Sequence, residues 1–290
     1  MSNTTLGTPS INVQAAVKGV TALATLPEVT TRIIATVEDP NSSASKLHKI
    51  IAHDPALVSR ILKVVNSAFY GLPGQIGSVE RAIVLLGLNA VKNIAVAASL
   101  GQLFRGVKLS EKFTARDLWT HCIAVGVASR ELAKTMKFPF ADEAFLSGLI
   151  HDIGILVELQ TWPEQLRTVC NTVLKQGGNF CETEQMILGV DHQTLGKALA
   201  DHWKFPQTCQ QVALHHHNPA AAAVEMRPLV TIVHAADIIA CRAEKGFNLT
   251  ALGQELDSAC LAEAGLTDEI LQSVAEQLPA TLSDAGGLFD

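Results

Sequence analysis

Histidine and aspartate residues beyond residue 110 could form a metal site. In chain order they are His121, His151, Asp152, His192, His216, His217 and Asp237. Imidazole nitrogens combined with carboxylate oxygens suit borderline transition metals, so iron, manganese, zinc and nickel are the expected ions. A site that shares one carboxylate between two ions, roughly 3.5–4 Å apart, can activate water and stabilise an in-line phosphoryl displacement. These residues therefore predict one or two divalent ions and chemistry on phosphate esters.

The His-Asp pair is a weak motif by itself, because the chain contains it twice. His53-Asp54 precedes Pro55, and a helix with Asp as N-cap and Pro at its first position explains that copy. The second copy lies in the apolar segment LIHDIG at 149–154, inside a helix that we predict over 143–160. Two ionisable groups are costly to bury there unless they are paired or bind metal. His151 and Asp152 are therefore the predicted catalytic residues.

Each predicted ligand also has a structural interpretation, which the sequence leaves open. A buried polar side chain commonly needs only a hydrogen-bond partner, and histidines suit a helix C-terminus. The alternatives are a core histidine at His121, a hydrogen-bonded pair at His151-Asp152, a helix start at His192, a solvated helix end at 215–217 and a local cap at Asp237.

The elements that must position these residues are helices. The chain is 48% hydrophobic but only 5% aromatic, a mixture that favours packed helices over a β-sandwich. Ser42 or Ser43, Asp54-Pro55 and Ser78 are predicted to begin three helices near the N-terminus. Further helical patterns cover 90–103, 115–136, 181–188, 193–202, 206–216, 228–244, 249–263 and 267–278. We predict an all-α fold with a natural division near residue 110.

Charge and the length of apolar runs limit the partners. The formal charge of −6 argues against broad, sequence-independent binding to nucleic acid, which requires a basic face, and leaves only local basic patches open. The segment 78–100 has the outline of a helix-turn-helix, but its basic residues are only Arg81 and Lys92. The longest apolar runs, such as 94–100, fall far short of the ~20 residues that span a bilayer. We expect neither a DNA partner nor a membrane partner.

Cysteine usage and the N-terminal segment favour the cytoplasm. The six cysteines are scattered without a CxxC motif, which is typical of reduced core thiols. Residues 1–10 are polar and have neither the basic nor the apolar region of a signal peptide. We therefore expect a cytoplasmic protein.

Several segments resemble two related families. The order of His121, LIHDIG at 149–154, His216-His217 and Asp237 resembles the HD superfamily of metal-dependent phosphohydrolases. The segments DPAL at 54–57, VNSAFYG at 65–71 and AIVLLG at 82–87 strongly resemble the N-terminal part of HDOD domains, bacterial relatives of that superfamily that act in signalling. The resemblance extends from about residue 26 to about residue 243.

The resemblance implies roles for the seven residues. It implies four core HD ligands, with Asp152 bridging two ions: His121, His151, Asp152 and Asp237. His192, in VDHQTLG at 190–196, resembles the additional histidine of the HD-GYP relatives. His216 and His217 match the adjacent pair that those relatives use for a second metal.

The resemblance also implies a domain organisation. An N-terminal helical HDOD subdomain over 13–110 would pack on an HD-like, metal-binding helical bundle over 111–246. A C-terminal helical extension would follow over 247–290, where it would either cap the core or mediate association.

Departures from HD-GYP enzymes concern the handling of phosphate. Ile155 stands where those enzymes have a lysine, and Asn218 stands where a glutamate follows the paired histidines. The Gly-Tyr-Pro element is absent, since Pro219 leads into an alanine run. Cleavage of cyclic di-GMP is therefore not expected, whereas the metal ligands are retained.

Two functions of different classes follow. The leading hypothesis is a bacterial signal-transduction output module that keeps an HD-type metal site and responds to a signalling protein or a nucleotide. The alternative is an active metal-dependent phosphohydrolase, a phosphodiesterase or phosphatase acting on a nucleotide or another phosphate ester. The long N-terminal block, which hydrolysis does not need, favours the module.

Overall fold

A computed structural model describes residues 12–19, 27–37, 39, 41–104, 106 and 108–285, and these residues form a helical fold. The helices of the N-terminal part are α1 (Val13–Gly19), α2 (Glu28–Val37), α3 (Ala44–Ala52), α4 (Pro55–Val65), α5 (Val79–Leu86) and α6 (Leu88–Leu100). The remaining helices are α7 (Ala115–Thr135), α8 (Ala141–Ile150), α9 (Gly154–Thr161), α10 (Pro163–Gln176), α11 (Phe180–Leu188), α12 (His192–His202), α13 (Gln207–His215), α14 (Arg227–Arg242), α15 (Ser258–Ala264) and α16 (Asp268–Asp284). In the described part of the chain the one β-type pairing is an isolated bridge between Lys108 and Thr114. The all-α prediction is confirmed.

Side-chain caps fix where the N-terminal helices begin. Ser43, Asp54 and Ser78 accept hydrogen bonds from the backbone N–H three residues further on, over 3.2, 2.9 and 3.2 Å respectively. These bonds satisfy donors that the first helical turn leaves free. The predicted starts of α3, α4 and α5 are therefore confirmed, with Ser43 rather than Ser42 as the cap of α3.

Two predicted helix boundaries differ from the structure. The helix predicted over 249–263 is only α15, because Gly253 adopts a positive φ of 75° and Asp257 caps the helix by accepting the Cys260 N–H. The helix predicted over 90–103 begins earlier, at Leu88, and its last turn is the 3-10 helix Gly101–Phe104. At the start of the predicted 249–263 helix, turn residues overrode the apolar pattern.

Helix α7 is the centre of the larger bundle, with α8, α14 and α16 packed against it. The approach of α8 to α7 is close: a Cβ at Gly148 would lie 2.7 Å from Ser129 Oγ and 3.0 Å from Gly126 Cα. Helix α16 packs on both α7 and α14, so the C-terminal extension caps the core. At the other end of the chain, α1 packs against α9 and α12.

The loop that carries VNSAFYG is held by its asparagine. The Asn66 side chain accepts the Ile76 N–H over 2.6 Å and donates to the Ile76 carbonyl over 2.9 Å. It also donates to the carbonyl of Leu62 in the preceding helix over 2.8 Å. Asn66 therefore ties the end of α4 to the chain before α5, which gives the asparagine of this motif a structural role.

Aromatic residues of the same loop join the two parts of the molecule. The Arg130 guanidinium, on α7, lies 4.6 Å from the Phe69 ring centroid and 4.5 Å from the Tyr70 ring centroid. Arg130 Nε also pairs with Asp142 Oδ1 over 3.0 Å, and Asn93 of α6 donates to the Asp142 carbonyl over 3.0 Å. Stacked and paired arginine of this kind fixes one arrangement of neighbouring helices.

Other predictions concern compartment and thiols. None of the described helices is long and apolar enough to cross a membrane. All six cysteines are free, and five of them are buried. The polar N-terminal segment 1–10, on which the absence of a signal peptide was predicted, lies outside the described residues.

Candidate metal centre

The structure brings all seven predicted ligands together at the centre of the bundle. His121 projects from α7, and Asp237 from α14. His151 and Asp152 lie between α8 and α9, His192 is the first residue of α12, and His216 and His217 follow α13. Six of the seven residues have no exposed surface, and the His217 side chain is 5% exposed.

His151 and Asp152 lie at a turn, and the prediction of one helix over 143–160 is wrong. Helix α8 ends at Ile150, residues 151–153 form the turn, and α9 starts at Gly154. A Cβ at Gly154 would lie 1.9 Å from the His192 carbonyl oxygen, so α9 and α12 meet there at a distance that only glycine permits. The close approach explains the glycine of LIHDIG and brings the pair next to His192.

A first group of ligands consists of His121, His151 and Asp237, whose ligand atoms all lie within 4.8 Å of one another. His121 Nε2 is 3.1 Å from Asp237 Oδ1. Asp152 Oδ2 faces this group, at 3.2 Å from His151 Nε2 and 3.8 Å from His121 Nε2.

A second group consists of His192, His216 and His217 around the other oxygen of Asp152. Asp152 Oδ1 lies 3.3 Å from both His192 Nε2 and His216 Nε2. His192 Nε2 is 3.1 Å from His217 Nε2 and 3.4 Å from His216 Nε2. Asp152 therefore directs one oxygen to each group.

The spacing of these nitrogen and oxygen atoms suits coordination of two cations better than direct hydrogen bonds among the side chains. Two ligand atoms that each lie ~2.1 Å from an ion are about 3.0–3.4 Å apart at right or tetrahedral angles. The Nε2 atoms of His121 and His151 and both oxygens of Asp152 are buried without a hydrogen-bond partner among the described residues, although they lie close together. Such atoms are rare in folded proteins unless an ion or water satisfies them.

Hydrogen bonds on the far side of the rings set which nitrogen faces the site. His151 Nδ1 donates to the Gly148 carbonyl over 2.7 Å, and His216 Nδ1 donates to the Val212 carbonyl over 3.1 Å. Because a carbonyl only accepts, each neutral ring carries its proton on Nδ1 and presents the Nε2 lone pair to the site. Outside the predicted set, His234 donates from Nδ1 to the His216 carbonyl over 2.7 Å.

The pKa values of these side chains are shifted in different directions. Burial opposes ionisation of Asp152, but the electrostatic attraction of His151 and the close approach of the His192 and His216 nitrogens hold the pKa of its carboxyl well below the usual range. Burial also opposes charge on His192, yet the carboxylate of Glu184 raises its pKa well above the usual value. Burial lowers the pKa of both His216 and His217. Within the second group, protonation is therefore favoured at His192 and disfavoured at His216 and His217.

Two buried glutamates beside the second group were not predicted from the sequence. Glu184 of α11 contacts the His192 ring, and Glu158 of α9 is also fully buried. The position of Glu158 in the apolar run GILVELQT is a signal that could have identified it, because an unpaired buried carboxylate is costly. Glu184 lies in a mixed helix and offers no such signal.

Cys181 is close to Glu184 and His192, and the three could together hold an ion. Burial, however, raises the pKa of the Cys181 thiol to about 12. A protonated thiol is a poor ligand, and Glu184 is already engaged with His192. The group of three is therefore better described as the surroundings of His192.

The two positions that depart from HD-GYP enzymes, Ile155 and Asn218, are not among the residues that could hold a metal ion. Ile155 is fully buried, so it contributes only packing, and Asn218 is exposed. Far along the chain from the seven residues, His48 pairs with Glu80 over 3.0 Å.

Comparison with known proteins covers most of the chain. The HDOD domain family model matches residues 23–219. An uncharacterised protein of Treponema pallidum (strain Nichols) is 26% identical over 209 residues, which are 72% of this chain and 40% of that protein. The chain thus spans less than half the length of that relative.

Solved structures share the fold at low sequence identity. An HDOD domain protein of unknown function from Geobacter sulfurreducens superposes with a TM-score of 0.79 at 21% identity, covering 95% of this chain and 98% of that one. A candidate phosphohydrolase from Shewanella amazonensis SB2B gives 0.72 at 24% identity, covering 94% and 96%. A candidate signal transduction protein from Marinobacter aquaeolei VT8 gives 0.72 at 20% identity, covering 97% and 67%. The architecture described above is therefore common to these proteins.

Proposed function

The chain belongs to the HDOD domain family, and we propose that it is a bacterial signal-transduction output module built around an HD-type centre for two divalent metal ions. The observation that carries this proposal is a site complete in ligands yet enclosed by the protein. The other six predicted ligands form two groups around Asp152, and none of the seven has a side chain more than 5% exposed. A centre of this kind suits a stabilising or sensing role, because turnover requires a substrate to reach the ions.

The ions would join the elements of the bundle. His121 and Asp237 come from α7 and α14, whereas His192 and His216 come from α12 and from the end of α13. When bound, the metals would supply positive charge for the unpartnered nitrogen and oxygen atoms. Their ligands would then hold these helices, and the α8–α9 turn with them, in one arrangement that a partner could recognise. Binding free energy of this kind becomes folding free energy.

The N-terminal part supports a regulatory role. The predicted subdomain over 13–110 contains none of the seven predicted ligands, but Asn93 and the Phe69–Tyr70 pair fix it to α7 and to the residues that begin α8. We expect a signalling protein or a nucleotide as its partner and the bacterial cytoplasm as its location. The subdomains over 13–110, 111–246 and 247–290 stay part of this proposal.

Elemental analysis of protein purified without added ions tests the proposal. Two equivalents of iron, manganese, zinc or nickel in the wild type, lost in Asp152→Ala, are expected, because Asp152 faces both groups. A wild type that is metal-free and stays empty on reconstitution would contradict it.

The second candidate function is a metal-dependent phosphohydrolase. It is favoured by Asp152, which directs one oxygen to each ligand group as two-ion hydrolysis requires. In that case His151 and Asp152 are catalytic, and bound ions would lower the pKa of a water to ~7 to supply the nucleophile. Metal-loaded protein would then hydrolyse phosphate monoesters or diesters. The enclosed site and the residues at 155 and 218 instead predict that such assays show no turnover. Robust turnover would favour the phosphohydrolase over the signalling module.

A further inference from the structure

Glu184 makes three hydrogen-bond contacts to one of the predicted ligands, His192. Both of its carboxylate oxygens lie within hydrogen-bond distance of His192 Nδ1, at 2.9 and 2.8 Å. Oε2 also accepts the backbone N–H of His192 over 3.1 Å. Glu184 and His192 are both fully buried, so water does not compete for these bonds.

These bonds determine how His192 faces the site. With Nδ1 donating to Glu184, Nε2 is directed to Asp152 Oδ1 at 3.3 Å and to His217 Nε2 at 3.1 Å. The combined ring and backbone contacts fix both the position and the rotation of the imidazole. A carboxylate behind a ligating histidine also makes the histidine a stronger ligand.

The other ligating histidines lack such a partner. His151 and His216 are backed by the carbonyls of Gly148 and Val212. His121 Nδ1 and His217 Nδ1 have no hydrogen-bond partner within the described ranges, since Asp237 Oδ2 lies 3.7 Å from His217 Nδ1, beyond hydrogen-bond distance. The carboxylate therefore acts on the second group only, the one formed by His192, His216 and His217.

Because of this asymmetry, we infer that Glu184 is a positioning residue for the second metal ion. It orients His192 and strengthens it as a ligand, without binding the ion itself. The inference rests on the proposed function, since it presupposes that the second group holds an ion.

Glu158 provides a matched control in the same pocket. It is fully buried beside Glu184, and burial followed by the negative charge of Glu184 raises the pKa of its carboxyl well above the usual range. Two adjacent carboxyl groups in a dry site resist ionising together; His192 favours the charged form of Glu184, and no hydrogen-bond partner among the described residues does the same for Glu158. Replacing Glu158 by glutamine is therefore expected to change little. Glu184→Gln, in contrast, removes the carboxylate charge that faces His192.

The experiment compares Zn²⁺ binding by the wild type, Glu184→Gln and Glu158→Gln. Calorimetric titration gives the two affinities, and elemental analysis after dialysis counts the bound zinc. We expect the second ion to be weakened roughly 10- to 100-fold in Glu184→Gln, with the first ion unchanged. Glu158→Gln is expected to bind both ions as the wild type does. Thermal melting of each metal-free variant checks that it is folded.

The outcomes separate this inference from the proposed function. Wild-type affinity for both ions in Glu184→Gln would overturn the role of Glu184 and leave the two-ion site standing. Weakening of both ions in Glu184→Gln, or equal weakening in Glu158→Gln, would also overturn it, because a general packing defect would then be sufficient. A wild type that takes up fewer than two ions would overturn the proposed function and this inference together.

Discussion

The same dipeptide occurs in two regions of the molecule and does different things there. At 53–54 the histidine is exposed, and Asp54 accepts the Leu57 N–H over 2.9 Å at the start of α4. At 151–152 both residues are fully buried, and the two oxygens of Asp152 face two groups of histidines. In the first region a proline follows and a helix begins; in the second, a turn presents both side chains to the bundle centre. The surroundings of the pair, more than the pair itself, decide its role.

The difference is one of satisfied and unsatisfied atoms. Asp54 has its hydrogen-bond partner in its own helix and needs nothing else. Asp152 has no hydrogen-bond partner among the described residues for either oxygen, although histidine nitrogens lie 3.2 and 3.3 Å away. A buried carboxylate in that state is costly unless an ion or a water satisfies it, and a divalent cation does so for both oxygens.

The largest expected effect that separates the two regions comes from Asp152→Ala. At a Zn²⁺ concentration of 100 times Kd, the wild type should gain about 2.7 kcal/mol of unfolding free energy per ion. The variant should gain nothing, because it has lost the carboxylate shared by both groups. Denaturant unfolding with and without Zn²⁺ measures this. Asp54→Ala is the matched control and should keep the full gain; a Zn²⁺ gain retained by Asp152→Ala would remove the contrast.

Acid should weaken metal binding at the second region, and this sharpens the comparison. Glu184 raises the pKa of His192 well above its usual value despite burial, so without metal the ring holds its second proton more tightly than an ordinary histidine does. An incoming ion must displace that proton, and affinity should therefore rise with pH, by about tenfold per pH unit for each proton displaced. Calorimetry between pH 6 and 8, in buffers of different ionisation enthalpy, should detect proton release. An affinity independent of pH, with no proton released, would contradict the charge assignment.

A smaller effect is expected from Asp54→Ala on stability alone. Loss of an N-cap costs about 1 kcal/mol, within a range of roughly 0.5–2 kcal/mol, and here it leaves the Leu57 N–H without its side-chain acceptor. Denaturant unfolding of the metal-free protein measures this cost. Metal content should not change, and a loss of metal would mean that the N-terminal part influences the centre.

The smallest effect is expected at His53. Its side chain is exposed at the end of α3, and surface substitutions of this kind usually change stability by less than about 0.5 kcal/mol. His53→Ala should therefore match the wild type in unfolding and in metal content. His151→Ala is its counterpart in the second region and should weaken the first ion strongly; equal behaviour of the two variants would break the comparison.

Much of the fold could be predicted from local signals. Ser43, Asp54 and Ser78 each carry their cap hydrogen bond within the same turn, so sequence alone locates those helix starts. The turn at 151–153 could not be located in this way, because its cause is the contact of Gly154 with the His192 carbonyl, 38 positions further along the chain. An apolar run predicts burial but not the direction in which the chain continues.

The candidate site was predictable in its residue set and not in its surroundings. The seven histidines and aspartates follow from residue types, order and family resemblance, and the structure places them together. Glu184 was missed because its role depends on a contact between α11 and α12 that no local pattern records. Enclosure of the site was not predicted either, since it results from the packing of several helices at once.

Anomalous X-ray diffraction from crystals of the zinc-loaded protein tests the central claim most directly. Two ions held by the seven residues should give two peaks, roughly 3.5–4 Å apart. One peak should lie among His121, His151 and Asp237, the other among His192, His216 and His217, with Asp152 between them. Absence of anomalous density at both groups in protein that is folded and zinc-loaded would contradict the account.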